Sequence, residues 1–412
     1  MSSQKKKILL IVMDGLGDRG NEELDWQTPL QATKTPNFDW FAKNGMSGIC
    51  DTIAPGIRPG SDTAHLSILG YNPREVYTGR GPFEAAGIGL ISKKGDIAFR
   101  CNFATVDESM NVIDRRAGRI KEPDTSELVK SLEGLTIDGV QAIVREGTEH
   151  RAALLLRGPG LSPEVTDPDP HDLAEVLESK PKCSGAVFTA GVVNKFVKKS
   201  YEVLNDHPVN KRRIAEGLPP ANVLLPRGGG SFPNIEPFPE VHNMRSACVA
   251  GVGMIKGICG VCGLDVLDLP ARCTGGTDSD FTLKAKFALE ALNKYDFILM
   301  NCKAPDVCGH DGNAKLKCEI VQRLDDMAGY IRDNFPKDLV IVFTADHSTP
   351  CSLMDHSGDP VPITIYTPGM VIDSATSFSE SGCASGSIGR IRGFDIVPIC
   401  KDLANRTEKY GA

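Results

Sequence analysis

Aspartate and histidine residues, both common metal ligands, cluster in a few short segments of this sequence. Asp306 and His310 are four residues apart, so one helical turn or a tight loop can direct both side chains at one ion. Three of the eight histidines, His310, His347 and His356, fall within 47 positions of the chain, and each has an aspartate beside or shortly before it. Mixed carboxylate and imidazole ligands suit Mn²⁺, Zn²⁺, Co²⁺ or Fe²⁺. The candidate ligands are, in chain order, Asp14, Asp306, His310, Asp346, His347 and His356.

A serine near the start of the chain is the candidate nucleophile. Gly60 permits a sharp turn, and residues 62–69 have the pattern of a short helix that ends at Gly70, so Ser61 is expected at a helix N-terminus. Serine at this place is also a common N-cap, which is the structural alternative. The functional alternative uses the same geometry, because free amides and the helix dipole attract a phosphate. A metal on the serine oxygen would lower its pKa and make it a nucleophile.

The segments that must position these residues are apolar runs typical of buried parallel strands. The runs cover residues 8–13, 246–250, 297–300 and 339–344. Helical patterns cover residues 36–44, 281–295 and 314–335. The alternation predicts an α/β fold with a mostly parallel sheet flanked by helices. Such sheets place their sites at the carboxyl ends of the strands, where the acidic candidates fall.

The middle of the chain has a different character. Short strand-like runs and short helical patterns replace the long elements, and the segment from about residue 71 is rich in Gly and Pro. We therefore predict an inserted α+β domain at residues 72–190, interrupting a domain formed by residues 1–71 and 191–412. The strand-like runs are residues 99–106, 140–145 and 152–156; the helical patterns are residues 126–132, 172–178 and, disturbed at Pro208, 192–216.

Composition restricts the class of protein. With 412 residues, 41% of them hydrophobic and 24% charged, the chain has the composition of a folded globular protein. A net charge of −7 gives no support to non-specific nucleic-acid binding, and no apolar run is long enough to span a membrane. Thirteen cysteines, an odd number, indicate reduced thiols and a cytoplasmic location. Cys259 and Cys262 have the spacing of a zinc or redox pair, but without a second pair we interpret them as structural.

Several segments, in this order, resemble the cofactor-independent phosphoglycerate mutases of the alkaline phosphatase superfamily. The archaeal-type branch is the closer match, and the resemblance covers essentially the whole chain. The segments are IVMDGLGDRG, TPLQATKTPNFD, APGIRPGSDTAHLSILGY, YTGRGPFEAAG, DRRAGR, HRAALLLRG, GGTDSDFTLKAK, CKAPDVCGHDGN, TADHSTP, HSGDPVPI and RIRGFDIVP.

The resemblance implies an alkaline-phosphatase-like domain in which two divalent metal ions, Mn²⁺, Co²⁺, Zn²⁺ or Mg²⁺, flank the nucleophile. Ser61 would take the phosphoryl group of 3-phosphoglycerate as phosphoserine and return it to the 2-hydroxyl, without 2,3-bisphosphoglycerate. His65, on the helix of Ser61, is expected to support the site rather than bind metal. One ion would be held by Asp14, Ser61, Asp346 and His347, and the other by Asp306, His310 and His356.

Binding of phosphoglycerate requires cations, since the substrate carries about three negative charges and arginine suits both its carboxylate and its phosphate. The resemblance favours Asp114, Arg116, Arg119 and Arg151 as the residues that bind glycerate. Whether Arg115 or Arg116 points inward stays open. Lys284 or Lys286 is expected to reach the phosphate, and their spacing on a helix favours only one of the two, with Lys284 preferred.

Two other functions are compatible with parts of the pattern. A phosphatase or a phosphomutase acting on another small phosphate ester would use the same metals and the same serine, and only the arginines of the insertion favour a substrate with a carboxylate. A catalytically silent metal-binding protein would lack a ligand or the nucleophile, whereas every expected position is filled here. The expected partner is a small-molecule substrate, with neither nucleic acid nor membrane, and the oligomeric state stays open.

Overall fold

A computed structural model describes residues 5–411, which contain fourteen strands and fifteen α-helices. The strands are β1 (Lys7–Met13), β2 (Met46–Asp51), β3 (Ile97–Val106), β4 (Val112–Asp114), β5 (Thr136–Ile137), β6 (Val140–Glu146), β7 (Arg151–Arg157), β8 (Val223–Ser231), β9 (Ser246–Val249), β10 (Asp265–Val266), β11 (Phe297–Cys302), β12 (Leu339–Thr344), β13 (Val361–Tyr366) and β14 (Gly389–Arg392). The helices are α1 (Pro29–Ala32), α2 (Pro36–Asn44), α3 (Ser61–Ile68), α4 (Pro73–Val76), α5 (Gly81–Gly87), α6 (Asp124–Ser131), α7 (Val187–Leu204), α8 (Pro208–Ala215), α9 (Phe238–His242), α10 (Gly253–Val261), α11 (Phe281–Ala291), α12 (Ala304–His310), α13 (Ala314–Asp333), α14 (Glu380–Cys383) and α15 (Ile396–Leu403).

The chain folds into two compact units. Unit 1 contains the residues up to Val76 and those from Ile235 onward, and unit 2 contains Tyr77–Asn234. The predicted insertion, residues 72–190, is therefore shorter than unit 2, which also takes in residues 191–234. Two contacts hold that segment: β8 pairs along β3, and α7 buries Phe196 in the core of unit 2. Residues 1–4 and 412, which the predicted boundaries include, lie outside the described residues.

Unit 1 is built on an eight-stranded sheet in the order β10-β9-β11-β1-β12-β13-β2-β14. The five strands from β10 to β12 are parallel, whereas β13 is antiparallel to both its neighbours. This confirms the α/β fold with a mostly parallel sheet. The central strands β11 and β12 are buried at every position, as continuous apolar runs require when helices cover both faces of a sheet.

The helix signals of unit 1 are also confirmed. Pro36 takes the first turn of α2 and Gly45 follows its last residue, and α13 ends before Pro336. On one face of the sheet Phe38 of α2 packs edge-on against Phe343 of β12, with ring centroids 5.3 Å apart. The packing fixes the strand whose carboxyl end carries Asp346. No helix within residues 5–411 is long and apolar enough to cross a membrane.

Unit 2 is an α+β structure with antiparallel strands. Strand β3 pairs with β7 and with β8, and β7 continues to β6 and β5. The predicted helix at residues 172–178 is wrong, because this segment pairs with the chain at residues 110–112: the Val112 amide donates to the Ala174 carbonyl, and the Val176 amide donates to the Met110 carbonyl. Pairing with a strand edge there outweighs the local helical pattern. The predicted break at Pro208 is confirmed, since α7 ends before it and α8 begins at it.

The cysteines of the described residues are all free thiols. Cys259 lies in α10 and Cys262 directly follows it, and both are fully buried. Burial raises the pKa of Cys262 above its usual range, which keeps the thiol protonated and unreactive. The geometry agrees with the structural interpretation of this pair.

Candidate functional site

The candidate ligands of unit 1 converge because three neighbouring strands end together. In the parallel register Met13 of β1 lies beside Cys302 of β11, and Val12 lies beside Thr344 of β12. The residues that follow these strand ends therefore meet at one edge of the sheet. They include Asp14 after β1, Lys303 after β11, and Asp346 with His347 after β12.

Ser61 reaches this edge from the first turn of α3. The N-cap of that helix is Gly60, so Ser61 is not the N-cap serine of the structural alternative. Its Oγ lies 3.1 Å from His347 Nε2 and 3.3 Å from Lys303 Nζ. Ser61 is almost fully buried, and its hydroxyl contacts one imidazole and one ammonium group.

The residues predicted to hold the first ion surround Ser61. Asp14, Asp346 and His347 are each at most 1% exposed. His347 Nε2 lies 3.2 Å from Asp346 Oδ2 and 3.6 Å from Asp14 Oδ1. Asp346 Oδ1 accepts hydrogen bonds from the amides of Gly15 and His347, both at 3.0 Å. Asp346 Oδ2, although buried, accepts no hydrogen bond from residues 5–411.

The residues predicted to hold the second ion lie around one carboxylate oxygen. Asp306 Oδ1 is 3.4 Å from His356 Nε2 and 3.5 Å from His310 Nε2. His310 follows Asp306 by one turn of α12, as the spacing predicts. The His356 ring also stacks on the ring of His347, with centroids 3.6 Å apart, so the two predicted ligand sets adjoin.

The hydrogen bonds of these histidines leave a position that suits a cation. His356 Nδ1 is 2.8 Å from the carbonyl of Pro59, and His310 Nδ1 is 3.1 Å from the carbonyl of Met354. A carbonyl only accepts, so both Nδ1 atoms carry a proton, and each Nε2, when deprotonated, presents a lone pair beside Asp306. Acceptor atoms that converge on a carboxylate oxygen, together with the unbonded Asp346 Oδ2, fit a divalent metal ion.

The charges of the buried side chains also favour a metal ion at this position. Burial, and then the neighbouring Asp346 carboxylate, raise the pKa of Asp14. Burial opposes ionisation of Asp306 as well, but the hydrogen bond to His356 and the Lys303 ammonium outweigh it and lower the pKa of Asp306 far below its usual range. Burial also disfavours the charge of Lys303, yet Asp14 and Asp306 raise its pKa above its usual range. Three buried carboxylates thus share a single lysine, and metal ions would offset the remaining charge.

His65 connects residues of the site through hydrogen bonds. Its Nδ1 lies 2.7 Å from the carbonyl of Ser61, and its Nε2 lies 3.3 Å from Asn301 Nδ2. The same Asn301 amide donates to Asp14 Oδ2 at 3.1 Å. With both nitrogens engaged, His65 connects Ser61 to Asp14, which agrees with the supporting role expected from the sequence.

A second group of candidate side chains lies within unit 2, around a cavity of about 300 Å³. Arginines dominate its lining, and they include the predicted Arg116, Arg119 and Arg151. Arg115 and Arg116 both line it, so the alternative between them does not arise. The lining residues are Arg100, Asn102, Arg115, Arg116, Arg119, Glu149, His150, Arg151 and Arg227.

Several polar atoms of this lining are buried and unpartnered. Arg100 Nε, Arg115 Nε, Asn102 Oδ1 and His150 Nδ1 make no hydrogen bond within residues 5–411. Burial, and then the charge of Arg151, lower the pKa of His150 to about 4, so its ring is neutral near pH 7. Buried groups of this kind are costly unless a ligand satisfies them, and the excess of guanidinium groups favours an anion.

Asp114 does not belong to the lining. One of its carboxylate oxygens accepts from the Arg116 amide at 2.8 Å, and the other accepts from the Gly118 amide at 2.7 Å. The side chain thus shapes the turn from which Arg116 and Arg119 project. It orders the loop that carries these two arginines.

The two lysines expected to reach the phosphate take other places. Lys284 is 1% exposed, and its Nζ donates to the carbonyls of Thr274 and Asn301 at 3.0 and 3.2 Å. Lys286 is exposed on the surface of α11. Lys303, which the sequence reasoning did not single out, is the lysine at Ser61. The sequence signal that could identify Lys303 is its position directly after a strand and three residues before Asp306.

Arg100 and Arg227 were missed as well. Arg100 stands inside the mostly apolar strand β3, and Arg227 precedes three glycines in β8. Burial lowers the pKa of Arg100 to about 10, which still leaves it positively charged. An arginine within a buried strand is the signal that would have identified the first, because a buried charge requires a partner.

Comparisons with known proteins give a consistent result. The family model described as 2,3-bisphosphoglycerate-independent phosphoglycerate mutase matches residues 42–210. The chain is 50% identical to 2,3-bisphosphoglycerate-independent phosphoglycerate mutase 1 of Methanocaldococcus jannaschii, over 99% of this chain and 100% of that protein.

Two solved structures have the same fold. A protein of Pyrococcus horikoshii has a TM-score of 0.87 and 41% identity, with 99% of this chain and 100% of that chain covered. The cofactor-independent phosphoglycerate mutase of Thermoplasma acidophilum has a TM-score of 0.73 and 38% identity, with coverages of 97% and 100%.

Proposed function

The chain belongs to the 2,3-bisphosphoglycerate-independent phosphoglycerate mutase family, and on that premise we propose that it interconverts 3-phosphoglycerate and 2-phosphoglycerate with Ser61 as the nucleophile. The assignment of Ser61 as the nucleophile rests on one observation. Ser61 Oγ lies in a buried carboxylate and imidazole cluster, within 3.3 Å of both His347 Nε2 and Lys303 Nζ. A serine in such surroundings is suited to attack phosphorus.

The reaction divides into two transfers. In the first, the Ser61 hydroxyl loses its proton and Oγ bonds to phosphorus while the bond from phosphorus to the C3 oxygen breaks, and that oxygen takes up a proton. In the second, the C2 hydroxyl of the same glycerate loses its proton and attacks phosphorus, which releases Ser61 Oγ to take up a proton and gives 2-phosphoglycerate. Phosphoserine is the intermediate between them.

Two divalent ions, when bound, would lower the pKa of the Ser61 hydroxyl and offset the charge of the phosphoryl group. We assign one to Asp14, Ser61, Asp346 and His347, and the other to Asp306, His310 and His356. The Lys303 ammonium adds a donor beside the oxygen on which negative charge develops. The amides in the first turn of α3, the helix that carries Ser61, also favour the binding of an anion.

The arginine cavity of unit 2 is the proposed site for the glycerate. Its guanidinium groups can bind a carboxylate through paired hydrogen bonds, and Asn102 and His150 supply neutral polar atoms for the hydroxyl groups. These features favour a substrate with a carboxylate over a simple phosphate ester. We further propose a cytoplasmic location and a small-molecule substrate as the partner.

An enolase-coupled assay without 2,3-bisphosphoglycerate tests the proposal. We expect 2-phosphoglycerate to form from 3-phosphoglycerate, activity to be lost on chelation, and activity to return on adding Mn²⁺, Co²⁺, Zn²⁺ or Mg²⁺ one at a time. Release of free phosphate without 2-phosphoglycerate would identify a phosphatase instead. Activity that survives complete chelation would contradict the role of the metals.

Ser61→Ala tests the nucleophile. We expect a fall in kcat of at least about 10⁴-fold, because no other oxygen replaces the attacking atom. Ser67→Ala is the matched control, since Ser67 is a buried serine of the same helix whose hydroxyl has no hydrogen-bond partner within residues 5–411. Trapping of ³²P on the wild-type protein, and its absence on Ser61→Ala, would identify the phosphoserine. Full turnover by Ser61→Ala would refute the assignment.

A further inference from the structure

Thr349 connects the two predicted ligand sets through a single hydroxyl group. Its Oγ1 lies 2.7 Å from Asp306 Oδ1, which belongs to the second set. The same Oγ1 lies 3.0 Å from His347 Nδ1, which belongs to the first set. Thr349 is fully buried, so water does not compete for these two bonds.

The hydroxyl has one proton, and the arrangement determines where it points. The ionised Asp306 carboxylate can only accept, so Thr349 donates to it. The oxygen of Thr349 must then accept from His347, which places the ring proton on Nδ1. His347 Nε2, which lies 3.1 Å from Ser61 Oγ and 3.2 Å from Asp346 Oδ2, is thereby the ring nitrogen available to a metal ion. One hydroxyl therefore orients a ligand of each set.

The backbone holds this hydroxyl in place. The Thr349 amide donates to the carbonyl of Gly17 at 3.0 Å, and the Thr349 carbonyl accepts from the buried Lys317 Nζ at 2.9 Å. Gly309 of α12 allows the close approach, because a Cβ there would lie 2.3 Å from the Thr349 carbonyl oxygen and 2.7 Å from its Cγ2. The backbone of Thr349 is thus held by hydrogen bonds at both its amide and its carbonyl and by close packing against α12.

We propose that Thr349 is a positioning residue that couples the two metal sites, so that loss of its hydroxyl weakens binding of both ions. The inference rests on the proposed function only in assuming that the two ligand sets bind divalent ions. Supporting partners of metal ligands typically change metal affinity by about 10- to 100-fold. A partner of only one ligand would change one affinity, whereas Thr349 contacts a ligand of each set.

The test is binding of Mn²⁺ to the chelator-treated full-length protein, measured by titration calorimetry and by electron paramagnetic resonance. We expect two bound ions in wild type and, in Thr349→Val, a fall of about 10- to 100-fold in the affinity for each. Thr349→Ser keeps the hydroxyl and is expected to restore both affinities. Thr364→Val, which removes a buried hydroxyl bonded to Ser47 in β2, is the matched control and should bind both ions normally.

The outcomes separate this inference from the proposed function. Unchanged binding of both ions by Thr349→Val, or a loss confined to one ion, would overturn the coupling and leave the mutase proposal standing. Failure of wild type to bind two ions would overturn both. If Thr349→Val does not fold, as judged by circular dichroism in chelator, Thr349→Ser and Thr349→Cys decide: the proposal requires normal affinities in the first and weaker binding of both ions in the second.

Discussion

Replacing Lys303 with methionine removes the one ammonium group at the nucleophile while keeping most of the side-chain volume. Lys303 Nζ lies 2.8 Å from Asp14 Oδ1, 2.8 Å from Asp306 Oδ2 and 3.3 Å from Ser61 Oγ. These three contacts use all three protons of the ammonium group. The substitution therefore acts on the charge balance of the cluster and on the attacking oxygen together.

Two effects of opposite sign follow from this geometry. Loss of a donor beside the oxygen on which charge develops is expected to lower kcat by about 10²- to 10³-fold. Without bound metal, the substitution leaves Asp14 and Asp306 without their cation, which should destabilise the fold by about 3 kcal/mol. When metal is bound, the additional net negative charge of the site should strengthen the binding of the ions. We therefore expect metal to raise the melting temperature more in Lys303→Met than in wild type.

The assays are enolase-coupled initial rates at saturating 3-phosphoglycerate, and thermal unfolding with chelator and with Mn²⁺. Lys315→Met is the control, because that lysine lies on α13 with its side chain 73% exposed. A folded Lys303→Met protein with kcat within about threefold of wild type would refute the role of Lys303 in the transfer. A smaller metal-induced rise in melting temperature than in wild type would refute the charge argument.

Two further predictions concern the arginine cavity and the half-buried His242. Arg227→Met removes a cation from the cavity lining, so we expect the KM for 3-phosphoglycerate to rise at least about tenfold with a smaller change in kcat, and unchanged kinetics would contradict the binding role. Burial, and then Lys401, lower the pKa of His242 to about 4, below its unfolded value near 6.5. The unfolded chain therefore binds the proton more readily between these values, and stability that is complete above pH 6.5 is lost as the pH falls toward 4. In His242→Gln about 1 kcal/mol of this acid-induced loss should disappear, which urea unfolding at pH 7 and pH 5 would detect.

The sequence allowed the strand-end residues of unit 1 to be predicted because the signal is local. A continuous apolar run identifies a buried strand, and the polar residue that stops it lies at the carboxyl end. Asp14 and Asp346 are identified in this way, and in the structure one carboxylate oxygen of each lies close to the Nε2 atom of His347. The periodicity within α12 likewise anticipated that Asp306 and His310 point in the same direction.

The C-terminal boundary of unit 2 could not be predicted from local sequence patterns. Strand β8 begins at Val223 and pairs with β3, whose residues lie more than a hundred positions earlier. Nothing in the local pattern of residues 223–231 shows which strand they join, and three glycines weaken the strand signal itself. The predicted boundary, between residues 190 and 191, therefore falls inside α7.

The choice between lysines shows what spacing alone leaves undetermined. Lys284 and Lys286 were compared as two faces of one helix, and the spacing correctly separates them: Lys284 is buried and Lys286 is exposed. However, helical periodicity identifies a buried face and not the groups beneath it. Under α11 lie the carbonyls of Thr274 and Asn301, which occupy the Lys284 ammonium group. Lys303 lies beside Asp14 because β11 and β1 are neighbours in register, and α3 brings Ser61 to the same edge of the sheet. The approach of distant segments, rather than the pattern of any one of them, places the ammonium group beside the nucleophile.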